Sequence, residues 1–275
     1  MGDAPLDPPV GSVFVTTSFL ERVTDARRAD ALTRREQGAL QLAQAAASAA
    51  GTPRDFASAL SRPGISLIAE IKRASPSAGD IAPGARPADL AHAYEAGGAA
   101  AVSVLTEPDH FRGSLDDLRE ARSACRLPVL RKDFLCDPLH VWEARAAGAD
   151  AVLLIVAALT QTELVALSDL ASDLGMAALV EAHSANDVER AALAGARIVG
   201  INTRDLSTLA VDAAVFAKVR PLVPEGVVVV AESGVTTRAD VEALESEGTD
   251  AVLVGEAVMR AGDPAAKIRE LLGLT

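Results

Sequence analysis

The segment AGADAVLLIVAALTQTEL (147–164) holds one complete junction of the kind that decides the fold. Gly148 ends a helix, Asp150 turns the chain, and DAVLLIV (150–156) is a short apolar run of the sort buried on both faces of a parallel sheet. Thr160 with Glu163 then has capping-box spacing and opens the next helix. A related junction, EGTDAV, recurs at 247–252, so the chain repeats a strand-then-helix unit.

Working outward, the same kind of run appears eight times: ISLIAEI (65–71), AAAVSVL (99–105), PVLRKDF (128–134), DAVLLIV (150–156), AALVEA (177–182), RIVGIN (197–202), VVVVAE (227–232) and DAVLVG (250–255). Helix-start signals follow several of them, at Asp137-Pro138, Thr160 with Glu163, Ser184 with Asp187, and Thr237 with Asp240. Eight parallel strands joined by right-handed crossover helices predict an α/β fold, a (β/α)8 TIM barrel. A dinucleotide-binding sheet is disfavoured because no GxGxxG follows the first strand.

Upstream, residues 1–64 read as an N-terminal extension whose helices pack on a barrel spanning 65–275, one domain overall. Residues 1 to about 15 are rich in Pro and Gly and read as irregular. Ser18 with Glu21 predicts a helix running to the Ala-rich stretch before Gly51, and Thr52-Pro53 predicts a second, short helix ended by Pro63-Gly64.

Composition narrows the function. With 49% hydrophobic but only 3% aromatic residues, the core must be built from Ala, Val, Leu and Ile. A net charge of −12 argues against a nucleic-acid partner, which needs a basic stripe to release counterions. An anionic small substrate is still compatible, through a few cations in one pocket. Cys125 and Cys136 form neither a CxxC nor a disulfide framework, which points to a reduced, cytoplasmic setting. No leader and no membrane-spanning run is predicted.

In a barrel, residues two apart on a strand share a face, and active sites gather at the C-terminal strand ends. There the sequence places Glu70 and Lys72, Lys132 and Phe134, Glu181, Asn202 and Glu232. Only four lysines occur, Lys72, Lys132, Lys218 and Lys267, and two of them sit at strand ends, where a titratable donor is useful and Arg is not. Each has a simpler reading, as a salt-bridging Lys or a helix-capping Glu. Asn202 and Arg204 in INTRDL read as substrate contacts. Ser233-Gly234 and Gly255-Glu256 follow the last two strands, where barrels commonly hold phosphate. The loop ASPSAGDIAPGARP (74–87) reads as a lid, and His92, His110, His140 and His183 read as structural or surface residues.

The motifs IAEIKRASPSAG (68–79), LTEPDHFRGS (105–114), LRKDF (130–134), LVEAHS (179–184), GINTRDL (200–206), AESGV (231–235) and LVGEAVMR (253–260) together resemble the indole-3-glycerol-phosphate synthase family. The resemblance implies a carboxy-lyase of tryptophan biosynthesis, working without cofactor or metal. The reaction would close an indole ring on 1-(2-carboxyphenylamino)-1-deoxyribulose 5-phosphate, losing carbon dioxide and water. It implies Lys132 as general acid toward the ribulose carbonyl, Lys72 on the carboxylate or sharing proton transfer, and Glu181 with Glu70 assisting dehydration. Phosphate would rest on Ser233, Gly234, Gly255 and the main chain of Glu256. Ser75, Ser77, Asn202, Arg204 and Glu232 would complete the contacts, and Phe111, Phe134 and Pro76 would surround the aromatic ring. Other tryptophan-pathway enzymes are the implied protein partners. Many members carry Ser where Glu256 stands, so its carboxylate is expected to turn from the phosphate; Ala78 replaces a Lys common in bacterial relatives.

Two rival readings remain. Phosphoribosylanthranilate isomerase, on the same fold, needs a Cys base at the end of the first strand, where this chain has none. A noncatalytic phosphosugar-binding barrel has no need of Lys72, Lys132 and Glu181 together.

Overall fold

All eight predicted runs form strands. The computed structural model describes residues 17–205 and 210–274, so the Pro- and Gly-rich first fifteen residues lie outside the described residues. The strands are β1 (Ser66–Ile71), β2 (Ala101–Leu105), β3 (Val129–Lys132), β4 (Ala151–Ile155), β5 (Ala177–Ala182), β6 (Ile198–Asn202), β7 (Val228–Glu232) and β8 (Ala251–Val254). Each pairs in parallel with its sequence neighbours, and β8 closes onto β1 through Ser66 opposite Ala251. The result is a TIM barrel. The predicted caps at Asp137, Thr160, Ser184 and Thr237 all accept a hydrogen bond from a main-chain N–H in the first turn of the helix that follows.

The period of two in each strand sorts the core into two layers. Leu67, Val129, Val180 and Val229 face outward into the layer between barrel and helices. Ile68, Leu130, Leu179 and Val230 face inward and fill the lumen. Counting two residues on from each inward residue reaches Glu70, Lys132, Glu181 and Glu232. The same alternation that packs the lumen therefore brings these four polar side chains to its mouth.

The N-terminal extension departs from the sequence expectation in two places. The capping box at Ser18 and Glu21 opens α1 (Phe19–Glu36), but the helix does not continue to Gly51. Gly38, left-handed at φ +84°, breaks it and starts α2 (Ala39–Ala49). The break lets Ala31 of α1 and Ala43 of α2 both pack on Leu139 of the helix Pro138–Ala147, which one straight rod would not allow. The short helix α3 (Phe56–Leu60) starts at Asp55 rather than at Thr52-Pro53. Asp55 accepts from Ser58 N at 2.9 Å, while Arg54 N is committed to Asp150 Oδ1 at 2.7 Å. Phe56 and Leu60 of α3 are buried in the lumen cluster.

A buried charge network fastens α1 to the barrel beside the site. Asp133 Oδ2 accepts from Arg27 at 2.9 Å, from Arg131 at 2.8 Å and from Thr106 at 2.7 Å. Arg131, on the outward side of β3, also donates to the His140 carbonyl at 2.6 Å. Burial penalises the Asp133 carboxylate, but the two arginines outweigh that and hold its pKa below the ordinary value.

Candidate active site

At the C-terminal ends of the strands opens a cavity of about 590 Å³. Leu105, Leu153, Ile155 and Leu253 supply apolar lining, and Phe111 and Phe134, with ring centroids 6.2 Å apart, form an aromatic wall. Phe19 of α1 packs edge-on against Phe134 at 6.1 Å, so the extension helps to hold that wall.

The charged groups fall into two clusters. Lys132 Nζ donates to Glu232 Oε2 at 2.6 Å and to Glu181 Oε2 at 3.3 Å. Lys72 Nζ lies 2.7 Å from Glu70 Oε1. Glu70, Glu181 and Glu232 are each only 2% exposed, so none would be tolerated as an isolated charge. Burial alone would lower the Lys132 pKa, but the carboxylates of Glu232, Glu181 and Glu70 raise it and keep the ammonium charged. Burial likewise pushes the Glu232 carboxyl up to about 8, against the pull of Lys132 and helped by its neighbour Glu181. For Glu181 burial is outweighed by Lys132 and then His183, and its pKa is lowered. One carboxylate of this facing pair is thus held charged and the other favours a proton.

Two glycines make room for these carboxylates. Gly200 stands opposite Glu181 in the β5–β6 register, and a Cβ there would overlap Glu232 Oε1. A Cβ on Gly255 would overlap Glu70 Oε1 and stand 3.2 Å from Lys72 Nζ. A side chain at 255 would therefore collide with the Glu70–Lys72 pair.

Asn202 joins the clusters to the loop after β7. Its Oδ1 accepts from Ser233 Oγ at 2.8 Å and from Arg204 N at 3.0 Å, and its side chain is among the groups that lower the Glu181 pKa. Ser233 and Gly234 are consecutive left-handed residues, at φ +70° and +81°. For Ser this conformation costs about 1 kcal/mol, a strain of the kind found at binding loops. Gly255 caps the short helix Glu256–Met259, and the Glu256 carboxylate is taken by Arg260 Nε at 2.8 Å. The acid expected to turn from the phosphate is neutralised by an ion pair at the cavity rim.

Of the residues expected in the site, Glu70, Lys72, Phe111, Lys132, Phe134, Glu181, Asn202, Arg204, Glu232, Ser233, Gly234, Gly255 and Glu256 line the cavity. Ser75, Pro76 and Ser77 do not. The loop after β1 folds into a two-residue ladder, Ala74–Ser75 against Gly79–Asp80; Ser75 Oγ accepts from Ala78 N at 3.2 Å, while Pro76 and Ser77 are exposed at the tip. Arg260 and Lys267, not expected in the site, also line the cavity, and His183, read as structural or surface, has its Nε2 3.4 Å from Glu181 Oε1. The spacing of Glu181 and His183, two apart at the end of a strand, was the available signal. Cys125 and Cys136 are buried and do not line the cavity.

The family model described as indole-3-glycerol phosphate synthase matches residues 20–271. The chain is similar to the indole-3-glycerol phosphate synthase of Mycobacterium avium, 51% identical over 93% of this chain and 94% of the relative. It is also similar to that of Mycobacterium tuberculosis H37Rv, 50% identical over the same shares. Among solved structures, 3-hexulose-6-phosphate synthase aligns with a TM-score of 0.57 at 19% identity, covering 76% of this chain and 99% of that one. A mutant tryptophan synthase alpha-subunit from Pyrococcus furiosus aligns with a TM-score of 0.57 at 16% identity, covering 76% and 98%. Those structural likenesses bear on the fold alone.

Proposed function

The chain belongs to the indole-3-glycerol phosphate synthase family, and from that membership we propose how its residues divide the work. The reaction is the decarboxylating, dehydrating ring closure of 1-(2-carboxyphenylamino)-1-deoxyribulose 5-phosphate to indole-3-glycerol phosphate, in tryptophan biosynthesis. The observation that carries the assignment is Lys132, an inward ammonium held between Glu181 and Glu232 across the mouth of the barrel.

Lys132 acts as the general acid. As the aniline ring carbon attacks the ribulose carbonyl, the carbonyl oxygen gains negative charge and Lys132 delivers the proton that makes it a hydroxyl. Lys72, beside Glu70, faces the substrate carboxylate and holds it until carbon dioxide departs and the ring regains aromaticity. The new hydroxyl must then leave as water, which requires a proton on its oxygen and loss of a proton from the ring system. Glu181, with Glu70, serves those transfers. Phe111 and Phe134 pack on the aromatic ring, and Asn202, Arg204 and Glu232 bind the sugar hydroxyls. Phosphate rests on Ser233, Gly234, Gly255 and the main chain of Glu256. Ser75, Pro76 and Ser77 belong to this reading only if the β1 loop moves over bound substrate.

Residues 1–64 and the barrel 65–275 act as one domain, a reading supported by the Arg27–Asp133 pair. Two buried free thiols support a reducing, cytoplasmic location. No described helix is long and apolar enough to cross a membrane. Other tryptophan-pathway enzymes are the protein partners this reading carries.

The test is the rise of indole fluorescence when the substrate is added to the purified protein. Lys132→Ala should lower kcat by about three orders of magnitude with the circular dichroism spectrum unchanged. A Lys132→Ala protein with wild-type turnover would refute the assignment of the acid.

A further inference from the structure

Glu181 is addressed from two sides. Its Oε2 takes Lys132 Nζ at 3.3 Å, and its Oε1 faces His183 Nε2 at 3.4 Å. His183 lies just past β5, and its main-chain N–H donates to Asp187 Oδ2 at 3.0 Å, which ties the backbone there to the start of the next helix. The side chain is 18% exposed, and among the described residues neither ring nitrogen makes a hydrogen bond, the Nε2 contact with Glu181 falling just short of hydrogen-bond geometry. An imidazole left unsatisfied at that depth costs stability, so the carboxylate beside it is where a role must be sought.

That neighbour decides which nitrogen carries the proton. A lone pair on Nε2 would face a carboxylate lone pair, so the proton belongs on Nε2, in the neutral or the cationic ring. The other groups around Glu181 are Lys132 from β3, Asn202 from β6 and Glu232 from β7, with Glu70 of β1 beyond Lys132. Among the described residues, Glu232 Oε1 has no hydrogen-bond donor.

We propose that His183 is a positioning residue for the ring closure: its Nε2–H faces and holds Glu181 Oε1, and so aims Oε2 at Lys132. This rests on the assignment of proton transfer to Glu181 made above. The opposite shifts of the two carboxyl groups agree with it, Glu181 being lowered by Lys132 and His183 while Glu232 is raised.

The experiment is steady-state kinetics of the full chain on the carboxyphenylamino-deoxyribulose phosphate from about pH 5.5 to 9, with His183→Ala, His183→Gln and His183→Asn. The alanine variant should lose about tenfold in kcat with KM within about twofold, because the contact lies behind a proton-transfer group and not on the substrate. Its acidic limb should move to higher pH, since Glu181 without His183 takes up a proton more readily. The glutamine variant, whose amide reaches the same oxygen, should recover most of kcat, and the shorter asparagine should not. An alanine variant with wild-type kcat and pH profile overturns the proposal. So does equal loss in the glutamine and asparagine variants with the acidic limb unmoved, and that comparison stands even if the alanine variant does not fold. Glu181→Gln, measured alongside, separates the two levels: wild-type turnover there sinks the assignment of Glu181 itself.

Discussion

Lys132 Nζ lies 2.6 Å from Glu232 Oε2 although the two residues are 100 positions apart in the chain. β3 and β7 stand on different sides of the barrel, so the contact spans the lumen. It joins an ammonium whose charge is held by its surroundings to a carboxyl whose proton is favoured by them.

The Glu232 carboxyl makes stability fall with pH. Its folded-state pKa is raised to about 8 from an ordinary 4.5, so between those values the folded protein keeps a proton that the unfolded chain has lost. Its contribution is complete below about pH 4.5 and is lost as pH rises through about 8. Urea midpoints measured from about pH 5 to 8.5 should decline for the wild type. Glu232→Gln should show a shallower decline over that window, and an equal slope would contradict the shift.

Gly200 and Gly255 are predicted to be intolerant of a methyl group. Gly200→Ala must displace Glu232, and Gly255→Ala must displace Glu70. Overpacking of this kind costs about 1–3 kcal/mol, and misplacing a catalytic group by an ångström costs about a hundredfold in rate. Both variants should therefore lose kcat far more than they lose thermal stability, as read by turnover and by melting temperature.

Asp133 is the anchor between α1 and the barrel. Asp133→Ala leaves Arg27 and Arg131 buried without their shared acceptor, which should destabilise the fold by about 3–5 kcal/mol. Arg27→Ala leaves Asp133 still paired with Arg131 and should cost less, about 1–3 kcal/mol. Chemical denaturation of both variants should reproduce that order.

The ion pair between Glu256 and Arg260 should govern affinity more than stability. Both side chains are 47% exposed, so breaking the pair should change stability by less than about 1 kcal/mol. Arg260→Ala leaves an uncompensated carboxylate beside the proposed phosphate site and should raise KM severalfold with kcat nearly unchanged. Glu256→Ser should lower KM. A KM unmoved by both would show that the rim charges do not reach the phosphate.

The residues themselves settled a good deal. The apolar runs at short intervals, the caps after them and the Gly–Asp junctions before them are local signals, and local signals survive without a neighbour to interpret them. So do the strand ends, where Glu70, Lys132, Glu181 and Glu232 stand before any strand is closed. Where the expected helix bounds failed, a long-range contact had overruled a local rule. The expected helix to Gly51 breaks at Gly38 because Ala31 and Ala43 both find Leu139. Ser75, Pro76 and Ser77 fall outside the cavity because the loop ties its own hydroxyl to Ala78 N.

Tertiary structure alone decided which acid keeps its charge. Glu181 and Glu232 have the same side chain, similar burial and equivalent strand-end positions, so sequence cannot rank them. Lys132 and the facing acid act on both; the difference is that Glu181 also has His183 and Asn202 lowering its pKa, which Glu232 does not have. Electrostatic energy depends on distance and burial, and those distances exist only once eight strands have closed into one ring.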